Sequence, residues 1–401
     1  MSKSDKVKPP HIAIYGMFGV GNTGNDATLE VTLAELRRRL PDVRVTIITT
    51  NPELVEAAVG LPAVAIRPRA SAALPGPFGK LQREWGRWRA EQALLREVDC
   101  LLIPGTGILD DFGAGVMEHP YPLWRWCTAA RQAGAQVKFV SVGAGPVKNA
   151  WSRRFFRWAA GGAGHRSYRD ASSRAFVRDE LKLDVSNDVV TPDIVLALDV
   201  APAQPPQSPP RVIGVGVMDY HSWTGARGGA DAYEPYIAKM AAFADGLLRQ
   251  GCAIRILTGD TGDAPAVADF HARLARDAPE FAQAIEIPAI ATLRDLCAEV
   301  AKTDAVVATR YHTIIAALIS GRPAVSIGYS VKNQAVMGEF GLGAFCQDIG
   351  DFDVETLRRH FEAVTRDSAY RARLRDLAAQ KKAALSAHFD MVATEIAAAV
   401  S

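Results

Sequence analysis

The chain has 401 residues, 48% hydrophobic and 22% charged, a balance that fits two or three globular domains and excludes disorder, collagen or coiled coil as the main architecture. Its 46 basic and 44 acidic residues leave a formal charge of +2, with 26 and 21 in the first 200 positions against 20 and 23 in the remainder. Neither half carries the basic excess of a dedicated nucleic-acid binder, so no nucleic-acid partner is expected.

The polar start MSKSDKVKPP has no signal-peptide hydrophobic region, and no apolar run approaches the ~18 residues that span a bilayer, so the expected location is the cytoplasm. Short β-branched runs then alternate with helical patterns, the signature of βαβ units and a parallel sheet. The predicted strands of the first half are 11–16, 43–50, 64–68, 100–106, 137–145 and 166–170, with a helix from about Asp26 to Leu40 marked by Leu29, Leu33, Leu36 and Leu40. APAQPPQSPP (201–210), half proline and uncharged, reads as a semi-rigid linker. Strands follow at 211–218, 253–260, 285–288, 305–310 and 324–330, then an Ala/Leu/Arg-rich helical segment from about Val354, broken near Asp367-Ser368. The expected fold is α/β: two doubly wound, Rossmann-like domains (1–200 and 211–401) facing a central cleft. Five widely spaced cysteines (Cys100, Cys127, Cys252, Cys297, Cys346) form no C-x-x-C, so neither a zinc knuckle nor a redox pair is expected, and most are expected to be buried thiols in a reducing compartment.

Ligands of such sheets bind outside the carboxyl ends of the strands, which directs attention to the loops there. GMFGVGNTGNDA (16–27) contains Gly19-Val20-Gly21-Asn22-Thr23-Gly24, a literal G-x-G-x-x-G between strand and helix. The loop is longer than a tight dinucleotide turn, and the next strand ends Thr49-Thr50-Asn51 with no acid for a ribose. It therefore reads as an anion or sugar contact through Gly21, Asn22 and Asp26, or as a turn capped by Asn25 or Asp26. PGTGILDDFG (104–113) offers Asp110 and Asp111 as sugar contacts or bases, though paired carboxylates at a helix start are also caps. GAGPVKN (143–149) is a third loop of the same kind. In RSYRDASSRAF (166–176), Arg166 and Arg169 stand near a strand end, suited to a carboxylate or phosphate or to an ion-pair network with Asp170 and Asp179.

The most specific block is VVATRYHTIIAALISGRPAVSIGYSVKNQ (306–334). A buried strand ends at Arg310, and His312 falls in the first turn of the next helix. With Thr309 and the helix N-terminus they make a phosphate-sized anion site, and Lys332, after the following strand, is expected to reach the same cleft.

Taken together, GMFGVGNTGNDATL, GTGILDDF, RDASS, TPD (191–193) and ATRYHTIIAALISGRPAVSIGYSVK resemble the polysaccharide pyruvyl transferase family. The resemblance implies a two-domain GT-B-type fold and transfer of the enolpyruvyl carbons of phosphoenolpyruvate to sugar hydroxyls, giving a cyclic ketal; no cofactor is expected beyond that co-substrate, and no metal-binding residues are singled out. It implies Arg310 and His312 as catalytic donor-site residues and Lys332 as the trailing lysine. Thr309 and Arg169 join them on the donor side, and Gly21, Asn22, Asp26, Asp110 and Asp111 on the acceptor side. The chain departs from the family pattern in reading GTG where a longer glycine run is common, and Asn25 before Asp26 where an acidic pair is usual. A nucleotide-sugar glycosyltransferase is the alternative, although the position of its usual ribose-binding glutamate is Ala316. A non-catalytic saccharide or anion sensor is a third reading. Finally, KLQREWGRWRAEQ (80–92) and WSRRFFRWAA (151–160) interleave Trp and Phe with Arg, as at an anionic lipid surface that would present a lipid-linked acceptor. Packed aromatic faces or a dimer contact would have the same composition.

Overall fold

A computed structural model of the chain describes residues 8–68, 76–111, 115–201, 204–220 and 230–399. Residues 1–7 of the N-terminal segment, 112–113 of the second loop and 202–203 of the proline-rich segment lie outside the described residues. Runs such as HIAIYG and CLLIP are apolar on both faces because helices cover both sides of a parallel sheet, and every residue of each is buried. The first half runs β1 (His11–Gly16), α1 (Thr23–Arg39), β2 (Arg44–Thr49), α2 (Pro52–Val59), β3 (Ala63–Ala65), α3 (Gly76–Leu95), β4 (Cys100–Pro104), α4 (Pro120–Ala133), β5 (Gln136–Val142), α5 (Ala150–Gly161), β6 (His165–Tyr168), α6 (Ala171–Asp179) and β7 (Val189–Val190). These strands form one parallel sheet in the order β3-β2-β1-β4-β5-β6-β7, with Ile12 paired to Val45 on one side and Cys100 on the other. The winding direction reverses between β1 and β4, so the loops that follow those two strands flank the switch point.

The second half runs β8 (Val212–Gly216), α7 (Ala230–Arg249), β9 (Ala253–Leu257), α8 (Ala264–Asp277), β10 (Ile285–Glu286), α9 (Leu293–Ala301), β11 (Ala305–Ala308), α10 (Tyr311–Ile319), β12 (Ala324–Gly328), α11 (Val331–Glu339), β13 (Cys346–Asp348), α12 (Val354–Arg366) and α13 (Ser368–Ala398). Its parallel sheet has the order β10-β9-β8-β11-β12-β13, and Val306 pairs with Gly214 and Ala324. Here the switch point lies between β8 and β11. The expected helix break is seen between Arg366 and Ser368, where Asp367 accepts the Tyr370 N–H at 2.9 Å and caps α13. β7 and β13, two and three residues long, are not among the predicted strands. Burial raises the thiols of Cys100, Cys127 and Cys297 to about 12.

The chain divides into two compact units, Met1–Val20 with Thr28–Ile194 and Ala383–Ser401, and Gly21–Ala27 with Val195–Lys382. This division differs from the expected partition at 200 and 211 in three places. Residues 204–210 belong to the second unit rather than to a linker, since Asp304 accepts the N–H groups of Gln207 and Arg211 at 2.6 and 2.8 Å. The last turns of α13 belong to the first unit, tied there by Glu395 to Lys138 at 2.6 Å and Asp390 to Arg39 at 2.6 Å. Gly21–Ala27 belongs to the second unit, where Thr23 and Asn22 bond Gly259 and Asp260. Among the described residues no helix is long and apolar enough to cross a membrane.

Candidate active site

In the second unit the ends of β8, β9, β11 and β12 carry the residues with chemistry. β11 ends at Ala308, and Thr309-Arg310 leads into α10 with Arg310 in extended backbone as its N-cap. The Arg310 guanidinium forms a two-point pair with Asp263, Nε to Oδ2 at 2.7 Å and Nη2 to Oδ1 at 2.6 Å, leaving Nη1 outside the pair. Asp263 is fully buried and also accepts the Asp219 N–H at 2.9 Å. Burial raises its carboxyl above the ordinary value, with the Arg310 hydrogen bonds acting in the opposite sense. Burial likewise opposes the charge of Arg310, but Asp263 more than compensates and holds the guanidinium above its ordinary value. The outcome is a fixed, permanently charged fork at a helix N-terminus, the geometry that suits carboxylate or phosphate.

His312, half-buried in the first turn of α10, packs against the start of α1. A Cβ placed on Gly24 would lie 1.9 Å from His312 Nε2, so only glycine lets the imidazole occupy this position. The turn that carries Gly24 is pinned on the β9 loop. Thr23 Oγ1 donates to the Gly259 carbonyl at 2.7 Å, Asn22 Nδ2 donates to Asp260 at 3.3 Å, and the Thr261 N–H donates to the Gly21 carbonyl at 3.3 Å. Gly21, at φ +83, faces Thr261 Oγ1, only 2.4 Å from where its Cβ would be, which only a glycine satisfies without strain.

The sequence-predicted residues separate into two groups. Arg310, His312 and Lys332 all follow β11 or β12, and Lys332 lies half-buried in the first turn of α11. Thr309, expected to touch the donor, is fully buried with its hydroxyl 2.9 Å from Tyr236 Oη. Tyr236 in turn accepts the Met218 N–H at 3.0 Å, so Thr309 locks the ends of β8 and β11 together. Asn22 is occupied as a cap, its Oδ1 accepting the N–H groups of Gly24 and Asn25 at 3.2 Å each. The cap of α1 is thus Asn22 rather than Asn25 or Asp26. Gly21, Asn22 and Asp26 belong to the second unit, and Asp26 is exposed in the first turn of α1.

In the first unit, Arg169 is buried in a pair with Asp193 at 3.1 Å, with Asp170 at 3.7 Å from its Nε. Asp170 caps α6 through the Ser173 N–H at 2.6 Å. Arg166 pairs with Asp188 at 2.8 Å rather than with Asp170 or Asp179. Asp111 accepts the backbone N–H groups of Lys148 and Asn149 at 3.0 and 2.9 Å. It clasps the second and third glycine-rich loops together, and both Asp110 and Asp111 are half-buried. Beneath that loop, buried His119 bonds the Ile108 carbonyl at 2.8 Å, and burial lowers its pKa.

Sequence reasoning missed Asp263, Tyr236 and Asn333, and had Gly24 only as a glycine of the G-x-G-x-x-G loop, without its contact to His312. Asn333 is fully buried and donates to the Thr309 carbonyl at 3.0 Å and Ser326 Oγ at 3.1 Å, fixing the turn that carries Lys332. Its only sequence signal is a polar residue at the start of a helix, and that usually reads as a surface position.

Solved structures resemble the whole chain at low identity. A UDP-GlcNAc 2-epimerase from Methanocaldococcus jannaschii shares 11% identity at a TM-score of 0.58, covering 90% of this chain and 93% of that one. A glycosyltransferase from Rickettsia africae shares 12% at 0.57, covering 95% and 98%. The glycotransferase of kitacinnamycin shares 15% at 0.56, covering 98% and 99%. These likenesses establish a GT-B-type architecture and nothing about substrate. No curated protein matches the chain. The family model for polysaccharide pyruvyl transferases, however, matches residues 22–331. That span runs from the Asn22 cap to the first residue of α11, and the chain belongs to the polysaccharide pyruvyl transferase family of enzymes.

Proposed function

We propose that the protein transfers the enolpyruvyl carbons of phosphoenolpyruvate to two hydroxyls of a saccharide, forming a cyclic pyruvate ketal and releasing inorganic phosphate. The observation that carries this reading is the Arg310 fork, held by Asp263 beside His312 at the N-terminus of α10. Phosphoenolpyruvate brings two anions, a carboxylate and a phosphate, and Arg310 Nη1, the positive end of α10 and Lys332 supply the matching charge.

In this reading His312 donates a proton to the C3 methylene, which becomes a methyl group, and the electron pair of the double bond forms the new C–H bond. C2 is left as an oxocarbenium-like centre that one sugar hydroxyl attacks. Breakage of the C2–O bond releases phosphate, and a second hydroxyl closes the ketal. The two hydroxyls lose one proton each, replacing the one given to C3 and leaving one with the phosphate or solvent. Asp26 and Asp110 are the acceptor contacts in this scheme.

The test is a thermal-shift and phosphate-release comparison of phosphoenolpyruvate with nucleotide sugars and NAD. Phosphoenolpyruvate at 100 times its dissociation constant should add ~2.7 kcal/mol of stability. With a diol acceptor it should release phosphate, and in deuterated water one deuterium should enter the methyl group. A shift with a nucleotide sugar alone would move the assignment to a glycosyltransferase. Against that alternative, Ala316 lies fully buried inside α10 with no carboxylate for a ribose.

A further inference from the structure

α5 in the first unit buries Ser152, Phe156, Ala159 and Ala160. The opposite side carries Trp151, Arg154, Phe155 and Trp158 at the i, i+3, i+4, i+7 spacing of one helix face. Trp151 is 58% and Trp158 43% exposed. Phe155 sits between them and α4, with its ring 5.8 Å from Trp158, 5.2 Å from Trp124 and 5.5 Å from Tyr121. Beyond α4, which packs on both α3 and α5, α3 exposes Trp85 and Phe78. A contiguous aromatic face left in water marks an interaction surface.

The charges indicate which kind. α5 contains Arg153, Arg154 and Arg157 and no acid. Arg153 reaches Glu180 at 3.3 Å, whereas Arg154 lies over the rings of both Trp151 and Trp158, at 5.6 and 5.4 Å. A second copy of this chain meeting the same face about a two-fold axis would set arginine against arginine. A stacked sugar would need the open indole faces, and Arg154 already covers one face of each. A bilayer containing anionic lipid satisfies both features, because indoles settle at headgroup depth while guanidinium groups meet lipid phosphates.

We propose that the α5 face, extended by Trp124 and Trp85, docks the protein on an anionic membrane surface. Asn149 caps α5, and Asp111 clasps Asn149 to the loop that carries Asp110. Docking therefore holds that loop near the bilayer, where an acceptor carried on lipid would lie. That consequence rests on the pyruvyl-transfer reading, but the lipid binding itself does not.

The test is co-sedimentation of the full chain with vesicles of phosphatidylcholine alone or mixed with phosphatidylglycerol. Wild type should pellet with the anionic vesicles and lose binding as salt rises. Each arginine near such a surface contributes about fivefold, so Arg154→Ala/Arg157→Ala should reduce partitioning about 25-fold. Trp151→Ala/Trp158→Ala should reduce it further. Both variants should keep wild-type phosphate release with a water-soluble acceptor. Equal pelleting of wild type and variants, or no pelleting, overturns the proposal. So does a wild-type dimer that Trp151→Ala/Trp158→Ala dissociates, which would make the face a contact between copies. Loss of turnover with the soluble acceptor also overturns it, by assigning the face to sugar. Vesicle binding without any phosphate release from phosphoenolpyruvate would instead defeat the pyruvyl-transfer reading and leave docking standing.

Discussion

Gly24→Ala isolates the contact between α1 and His312. Gly24 lies within α1 and is absent from the positive-φ glycines, so alanine is compatible with its backbone and raises helix propensity by up to ~1 kcal/mol. The new Cβ, however, would stand 1.9 Å from His312 Nε2. Ordinary contact requires about 3.5 Å, so the imidazole tip must withdraw by roughly 1.5 Å. Misplacing a reacting group by ~1 Å costs on the order of 10²-fold in rate. The expected variant is as stable as wild type and slower by about 10²-fold or more in kcat. Its affinity for phosphoenolpyruvate should be nearly unchanged, because Arg310 and Asp263 are untouched. Phosphate release with saturating donor, a thermal scan and a donor titration measure the three quantities. Adding His312→Asn to Gly24→Ala should cost little more, since both changes remove the same group from the same place. Wild-type turnover in Gly24→Ala, or a fall in Tm beyond ~4 °C, would refute the reasoning.

Arg310 and His312 should separate binding from chemistry. Arg310→Ala should weaken phosphoenolpyruvate binding about 10- to 150-fold, the loss of a charge-assisted contact of ~1.5–3 kcal/mol, whereas His312→Asn should keep most of the affinity and lose about 10²–10⁴-fold in rate. The reverse pattern in titration and single-turnover assays would make His312 only an anion ligand, with Lys332 next in line as the acid. His388 sets a pH dependence of stability. Burial, reinforced by His165, lowers its pKa from 6.5 to about 4, and it bonds Ser167 Oγ at 2.8 Å. The unfolded chain therefore takes up this proton first, so the contribution is complete above pH 6.5 and falls toward pH 4 by about 3 kcal/mol in all. Urea unfolding at several pH values should show that slope in wild type and a flatter one in His388→Gln, and equal slopes would reject His388 as its source.

The sequence by itself determined the elements and the loops worth inspecting. Short apolar runs such as 100–104 and 305–308, too short for helices, read as strands buried on both faces, and the leucine spacing from Leu29 to Leu36 reads as one buried side of a helix. Those patterns act over a few residues, so a reader of the chain can recover them. The R-x-H block was legible for the same reason, since strand end, cap and first helical turn adjoin one another. Tertiary packing alone decided which partners complete the site. Asp263 meets Arg310 across 47 residues, Tyr236 meets Thr309 across 73, and Gly24 receives the ring of His312 from the far half of the chain. It also paired Thr309 with Tyr236 and Arg169 with Asp193, set Asp111 against the Lys148 and Asn149 N–H groups, and grouped the Gly21–Ala27 turn with the second unit. Hydrogen bonds and ion pairs between distant segments leave no period in the sequence, and their partners are chosen only when burial makes an unpaired polar group too costly to keep.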